Sequence, residues 1–254
     1  LNVKAGTDAA LAMAMGHVIL KEYYIDTETP YFKEYAKEFT DMPFLVRVED
    51  INGTVQPGRF LNAKDLGRQE EGSDFQMVLI DDTTNEIVVP NGTMGDRHTN
   101  PEKWNLRLEN RDTGAKIDPR LSVFDQREEV TVVKLPYFGD EEHEGVIERA
   151  IPTITVQTAD GPVKVTTVYD LILANYGIDR GIGGEVATSY TDDTPYTPTW
   201  QEKITGVKAD IAIATAREFA DNAEKTKGRS MIIMGGGINH WYHADVIYRT
   251  ILNL

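Results

Sequence analysis

Between residues 9 and 20 nearly every position is apolar: Ala9, Ala10, Leu11, Ala12, Met13, Ala14, Met15, Val18, Ile19 and Leu20, interrupted by Gly16 and His17. A helix with no polar face must be covered on several sides, so this stretch predicts a buried helix, with Thr7 and Asp8 as its N-terminal capping residues. A second helix is predicted over 31–39, where Tyr31, Phe32, Tyr35 and Phe39 recur at helical spacing. The period then changes. Short runs at 44–49, 75–80, 86–89, 154–158 and 163–165 are separated by polar turns, among them Asn52-Gly53, Asn91-Gly92 and Asp160-Gly161, the pattern of strands and hairpins. The helical period returns at 167–176, with Gly177 as a stop, after Thr197-Pro198, and over 209–223. Residues 230–234 form a short apolar run that predicts a buried strand, leading into Gly235, Gly236 and Gly237 and a last helix.

This order predicts an α/β fold with Rossmann-like layers, part of a larger assembly of the same kind. The 230–234 strand is expected in a mainly parallel sheet, flanked by helices over 9–24 and 209–223. Three parts are expected: a helical part of a cofactor-binding domain over 1–43, a peripheral β-rich insertion over 44–162, and an α/β segment over 163–254. There is no internal repeat and no low-complexity tract.

Charge sharpens the division. The 254 residues carry 26 Lys and Arg against 41 Asp and Glu, a net charge of -15, and residues 44–162 hold -10 of it. A nucleic-acid binder needs a basic face for phosphates, and an anionic membrane surface attracts polybasic segments; neither is present. The absence of cysteine removes disulfides, thiolate zinc sites, cysteine nucleophiles and cysteine-held iron–sulfur clusters from this stretch. No apolar run reaches the ~18 residues of a membrane span. The chain starts at Leu1, not Met, and stops at Leu254 inside a predicted helix, so it is expected to be a piece of a longer polypeptide.

Three places carry candidate chemistry. At 230–254 a strand, a glycine turn and a helix follow one another, the order in which open α/β sheets bind ligands. Gly235 and Gly237 give G-x-G, but His240 stands where a dinucleotide fingerprint has its third small residue, and a sterically tight turn explains the same glycines. Gly6, Thr7 and Asp8 precede the buried helix; they read as a plain cap or as a nucleotide contact, since a carboxylate can accept two hydrogen bonds from a guanine edge. Asn239 and His240 are the candidate polar pair near cofactor or substrate. His240 and His243 fall one ligand short of the usual zinc set, and the acidic run at 140–144 lacks the spacing of a calcium loop, so no metal ligand is assigned. His17 reads as a hydrogen-bonded core histidine.

The composite resembles a known family. The stretch from Gly6-Thr7-Asp8 through Gly16-His17-Val18-Ile19-Leu20 closely resembles the catalytic alpha subunit of membrane-bound respiratory nitrate reductases. So do Tyr31-Phe32 with Tyr35, Phe39-Thr40-Asp41-Met42-Pro43-Phe44, Lys103-Trp104-Asn105-Leu106, Pro136-Tyr137-Phe138-Gly139, Val165-Thr166-Thr167-Val168-Tyr169-Asp170-Leu171 and Tyr196-Thr197-Pro198-Thr199-Trp200. Gly228-Arg229-Ser230-Met231-Ile232-Ile233, continuing to Asn239-His240-Trp241-Tyr242-His243, is the most specific match.

The resemblance implies a molybdenum enzyme with two pyranopterin guanine dinucleotides that reduces nitrate to nitrite in anaerobic respiration. It implies an iron–sulfur beta subunit, a quinol-oxidising haem gamma subunit and a peripheral position on the cytoplasmic face of the cell membrane. The family's cluster-binding residues and its molybdenum-ligating Asp are implied to lie upstream of this stretch. The present residues would embrace the cofactor through Gly6, Thr7, Asp8, Gly235, Gly236, Gly237 and Asn239, with His240 nearby. Related selenate, chlorate or perchlorate reductases, and a self-contained α/β domain for a nucleotide or small anion, remain the alternative readings.

Overall fold

The computed structural model describes residues 2–93, 106–137 and 145–254. The acidic run at 140–144 and parts of the stretches around Trp104 and Phe138 lie outside them. The chain divides into two compact units, Leu1–Phe32 with Leu173–Leu254, and Lys33–Ile172.

The first unit is helical. Helix α1, Asp8–Ile19, is the predicted apolar helix; Ala12, Ala14, Met15, Gly16, His17 and Val18 are all buried. It continues without a break into a π-helical segment, Leu20–Asp26. Helix α4, Pro198–Thr205, starts as expected: the Thr197 hydroxyl accepts the Trp200 N–H at 3.1 Å, Pro198 opens the helix and Gly206 closes it in the left-handed region. Helix α5, Ala209–Thr226, buries a stripe of Ala212, Ala216 and Ala220. Ala216 meets Met15 and Val18, so α1 and α5 approach closely through small side chains. Helix α6, Gly236–Asn239, and helix α7, Ala244–Leu252, finish the chain; Ile247 and Ile251 of α7 pack on Ala12.

A charged cluster binds the π-helical segment to α5. Arg217 grips the Glu22 carboxylate with two N–H donors at 2.9 and 2.7 Å, the Tyr190 hydroxyl donates to it at 2.8 Å, and the Tyr23 hydroxyl donates to Asp221. The Arg217 hydrogen bonds, with Tyr190, hold the Glu22 carboxyl below its ordinary value of 4.5 against the opposing effect of burial. A carboxyl whose folded value is depressed contributes stability above its unfolded value and loses it as pH falls through the folded one. Glu22→Gln is therefore expected to cost about 1 kcal/mol at neutral pH. That difference from the parent should begin to shrink as pH falls below the ordinary value of 4.5 and vanish once pH is below the depressed folded value, in urea titrations; an undiminished gap at low pH would refute the assignment.

The second unit is built on an antiparallel sheet. Its strands are β1 Leu45–Ile51, β2 Thr54–Phe60, β5 Glu129–Pro136, β6 Val146–Thr158 and β7 Gly161–Thr167, in the order β2-β1-β7-β6-β5. A separate hairpin pairs β3, Leu79–Asp81, with β4, Glu86–Val88. Leu45, Val78, Ile80, Val123, Val156 and Val165 form the core beneath. Helix α2, Pro30–Phe39, leads into the unit, and of its residues only Ala36 is buried; Tyr35 and Phe39 of the predicted apolar face are exposed. Helix α3, Val168–Asn175, leads out.

Two expectations about the fold are corrected. Every strand pair among the described residues of this sheet is antiparallel. The reason is connectivity: β1 turns into β2 through Asn52-Gly53, at φ 56° and φ 81°, and β6 into β7 through Ala159-Asp160, one residue earlier than expected, with Gly161 already paired to Thr158; such two-residue turns join only antiparallel neighbours. Residues 230–234 are neither a strand nor buried. Met231 is 78% and Ile233 83% exposed, while Met234 leans on the Ala12 and Ile247 cluster. The local pattern is that of a strand, but a strand also needs a hydrogen-bonding neighbour, and among the described residues none lies beside this one.

Candidate functional site

The two candidate regions of the first unit meet. Gly6 lies at φ +79°, and a Cβ placed on it would come within 3.0 Å of the Trp241 ring. Glycine is thus required twice, by the left-handed backbone and by the indole face. Residues far apart in the chain share one locality because α1 packs along α7: Ala9 and Ala12 of α1 cluster with Ile238, Ile247 and Ile251.

Thr7 does not cap α1 through its side chain. Its backbone sits at φ -109°, ψ 13°, away from the extended conformation of a capping residue, and its hydroxyl donates to the Lys4 carbonyl at 2.6 Å. The Lys4 N–H in turn bonds the Thr205 carbonyl at 2.9 Å, so the Gly6 loop is tied to the end of α4. Asp8 occupies the first turn of α1. No hydrogen bond among the described residues consumes its half-buried carboxylate, which stands where the helix dipole favours negative charge. Neither Thr7 nor Asp8 caps α1 through a side-chain hydrogen bond among the described residues.

Gly235, Gly236 and Gly237 are exposed, and a Cβ at any of the three would meet no described atom within 4 Å. Packing of this unit against itself therefore does not demand glycine there. Asn239 ends α6, where its Oδ1 accepts the Tyr248 hydroxyl, leaving its NH2 group to donate. His240 follows directly, exposed, with no hydrogen bond to its imidazole among the described residues. His240 and His243 do not share a helix; they lie in the turn between α6 and α7, and His243 packs its ring on Tyr242. His17 is a core histidine as read: it is 1% exposed and its Nδ1 lies 2.7 Å from the Tyr176 carbonyl.

Sequence reasoning passed over two features. Trp241, half exposed against Gly6, is the junction of the site; no local pattern marks it, because its partner is at the other end of the chain. Asp170 had a signal that went unused: Thr167-Val168-Tyr169-Asp170 is a capping-box spacing.

The first unit thus sets the start of α1, at Gly6, against Trp241 in the turn that follows the three exposed glycines. The chain belongs to the molybdopterin oxidoreductase family, whose model matches residues 1–254. It is 49% identical over its whole length to the nitrate reductase alpha chain of Bacillus subtilis, and 46% identical over its whole length to the respiratory nitrate reductase 1 alpha chain of Escherichia coli. A perchlorate reductase alpha subunit of Dechloromonas aromatica is 30% identical over 99% of the chain. The chain spans about a fifth (21%) of the length of each of these relatives.

The family implies a molybdenum–pterin cofactor, and the residues present fit its organic part. Gly235, Gly236 and Gly237 present exposed backbone with open space over it, which a ligand can approach without meeting a side chain, and Asp8 and Asn239 carry an acceptor and a donor. Among the described residues no three His, Asp or Glu side chains gather to hold a metal ion. No helix among them is long and apolar enough to cross a membrane.

Proposed function

We propose that this chain is a cofactor-embracing part of a nitrate reductase alpha subunit, which reduces nitrate to nitrite at molybdenum carried by two pyranopterin guanine dinucleotides. The observation that carries this reading is the 46–49% identity to nitrate reductase alpha chains along the entire chain, against 30% for the perchlorate enzyme. The cofactor, when bound, supplies the metal centre for oxygen-atom and electron transfer. This chain's residues bind and orient it. Asp8 accepts hydrogen bonds from a guanine or phosphate-adjacent group, the backbone of Gly235, Gly236 and Gly237 lies against the ligand, and Asn239 donates through its NH2. His240 donates to the cofactor or the anionic substrate. A net charge of -15 does not oppose this, because backbone N–H groups and helix dipoles act locally.

In this reading the 230–234 segment becomes a strand of a parallel sheet completed by the remainder of the longer protein, which is why its apolar side chains stand exposed here. Residues 44–162 are a peripheral acidic insertion between the cofactor-binding parts 1–43 and 163–254. The partners are an iron–sulfur beta subunit and a haem-bearing gamma subunit, with the alpha subunit peripheral on the cytoplasmic face of the membrane and the cluster ligands elsewhere in it.

Asp8→Ala in the intact enzyme is expected to lower molybdenum and guanine content several-fold while the melting temperature moves by a degree or two. Full cofactor loading would return Asp8 to a helix-start role alone. His240→Ala, with loading and folding verified first, is expected to reduce nitrate turnover or raise the KM for nitrate about tenfold, the loss of one charge-assisted hydrogen bond. Wild-type values of both would remove His240 from the site. The 254-residue chain by itself is expected to reduce no nitrate with a dye donor; measurable turnover would overturn the proposal that its metal ligands lie elsewhere.

A further inference from the structure

The second unit contains a cleft of about 640 Å³ between β4 and the far half of β6. Its apolar lining, Ile80, Ile87, Ile154 and Val156, is the outward continuation of the sheet's core. Both flanking strands turn toward it backbone groups that no other strand among the described residues pairs. On β6, strand β5 pairs only as far as Glu129↔Thr153, whereas β7 pairs with 154–158 on the other side. Gln157 faces Pro162, which has no N–H, so the alternating pattern directs the backbone groups of Thr155 and Gln157 away from β7 and into the cleft. The Glu128 carboxylate accepts the Thr155 N–H at 3.1 Å, doing with a side chain what a neighbouring strand would do. On β3, the Ile80 carbonyl accepts the Arg120 N–H and the Asp82 N–H bonds the Asp118 carbonyl, so residues 80 and 82 face away from β4. Leu79 and Asp81 then carry the β3–β4 hydrogen bonds, and the N–H and C=O of Ile87, opposite Ile80, point outward as well.

We infer that this cleft receives an extended, basic segment of the longer polypeptide, added as a strand to the open edge of β6. Five residues of edge, 154–158, span roughly 17 Å and take a segment of four or five residues. The edge supplies the main-chain hydrogen bonds, and alternate side chains of the incoming strand enter the apolar floor. Charge selects the rest. Glu86 and Glu128 stand exposed on the rim, while the cation in the cleft, Arg120, is spent on Asp82 at 2.7 Å and Asn85 at 2.8 Å. A lysine or arginine on the incoming strand balances the rim. The source is the same polypeptide, because relatives similar along this whole chain are about five times its length.

The test uses the full-length protein carrying a photo-crosslinking amino acid at Gln126, which also lines the cleft, with amide exchange of Gln157 and Ile87 measured in parallel. The expected result is a cross-link to a Lys- or Arg-bearing peptide of the same polypeptide outside residues 1–254. Exchange at both amides should be about 100-fold slower in the full-length protein than in its own Glu86→Lys, Glu128→Lys variant. The same two substitutions should weaken the cross-link. A cross-link to another subunit or to a second copy, or no cross-linked peptide together with equal exchange rates, would overturn the inference. None of these readouts depends on nitrate reduction, so the test stands apart from the functional proposal.

Discussion

Replacing Gly16 by leucine is expected to lower stability by about 3 kcal/mol or more, and the melting temperature by roughly 6–12 °C. Even a Cβ at this position would lie 2.3 Å from Cε1 of Tyr176, far inside contact distance. The ring has nowhere to go, being 2% exposed, and its own carbonyl holds His17 at 2.7 Å. Alanine tests the balance of two opposing terms. It gains up to about 1 kcal/mol of helix propensity over glycine and pays for the clash, so Gly16→Ala should still be destabilised, by about 1–2 kcal/mol. Pairing Gly16→Ala with Tyr176→Leu should recover part of the loss, a coupling that a double-mutant cycle reads directly. A Gly16→Leu protein that melts with the parent would mean that α1 and Tyr176 do not meet as described.

Asp170→Ala is expected to cost about 3–5 kcal/mol, because it strips the partner from three donors, two of them, Val123 and Thr167, fully buried. The Asp170 side chain is completely buried, yet it accepts hydrogen bonds from the Ser122 hydroxyl at 2.6 Å, the Val123 N–H at 2.9 Å and the Thr167 hydroxyl at 2.9 Å. Thr167 reciprocates by accepting the Asp170 N–H at 3.1 Å, so the Thr167 hydroxyl caps α3 while the carboxylate holds that hydroxyl and pins the 122–123 segment across the unit. Asp170→Asn keeps shape and one acceptor oxygen and should cost about half as much. Urea unfolding of the three proteins decides it; a loss below 1 kcal/mol for the alanine variant would show the carboxylate to be poorly used.

Much of the second unit was legible because its signals are local. Asn52-Gly53 specifies a tight hairpin by its backbone preferences alone and forms the turn, while the Asp160-Gly161 signal marked the second hairpin one residue late: its turn is Ala159-Asp160 and Gly161 opens β7. Those same turns carried the information that the sheet is antiparallel. The parallel expectation came from the 230–234 run, whose pattern says nothing about where a pairing partner lies. In the first unit, α1 was readable from its unbroken apolar run, whereas its continuation as a π-helix was not. The widened turn accompanies the engagement of Glu22 and Tyr23 with Arg217 and Asp221 of α5, groups almost two hundred residues away.

The candidate site divides along the same line. Sequence alone determined which residues could touch a ligand, since glycines at 6 and 235–237, a carboxylate at 8 and an amide at 239 declare their chemistry wherever they fall. It also determined the family, because residue identity runs along the whole chain. Only the tertiary structure decided that Gly6 abuts Trp241, that the Thr7 hydroxyl turns back to Lys4, and that Asn239 shares its oxygen with Tyr248. The physical reason is range. Turns, caps and apolar periods are set by energies within a few residues, while these contacts follow from the packing of α1 against α7, which depends on the shapes of Ala9, Ala12, Ile247 and Ile251 together.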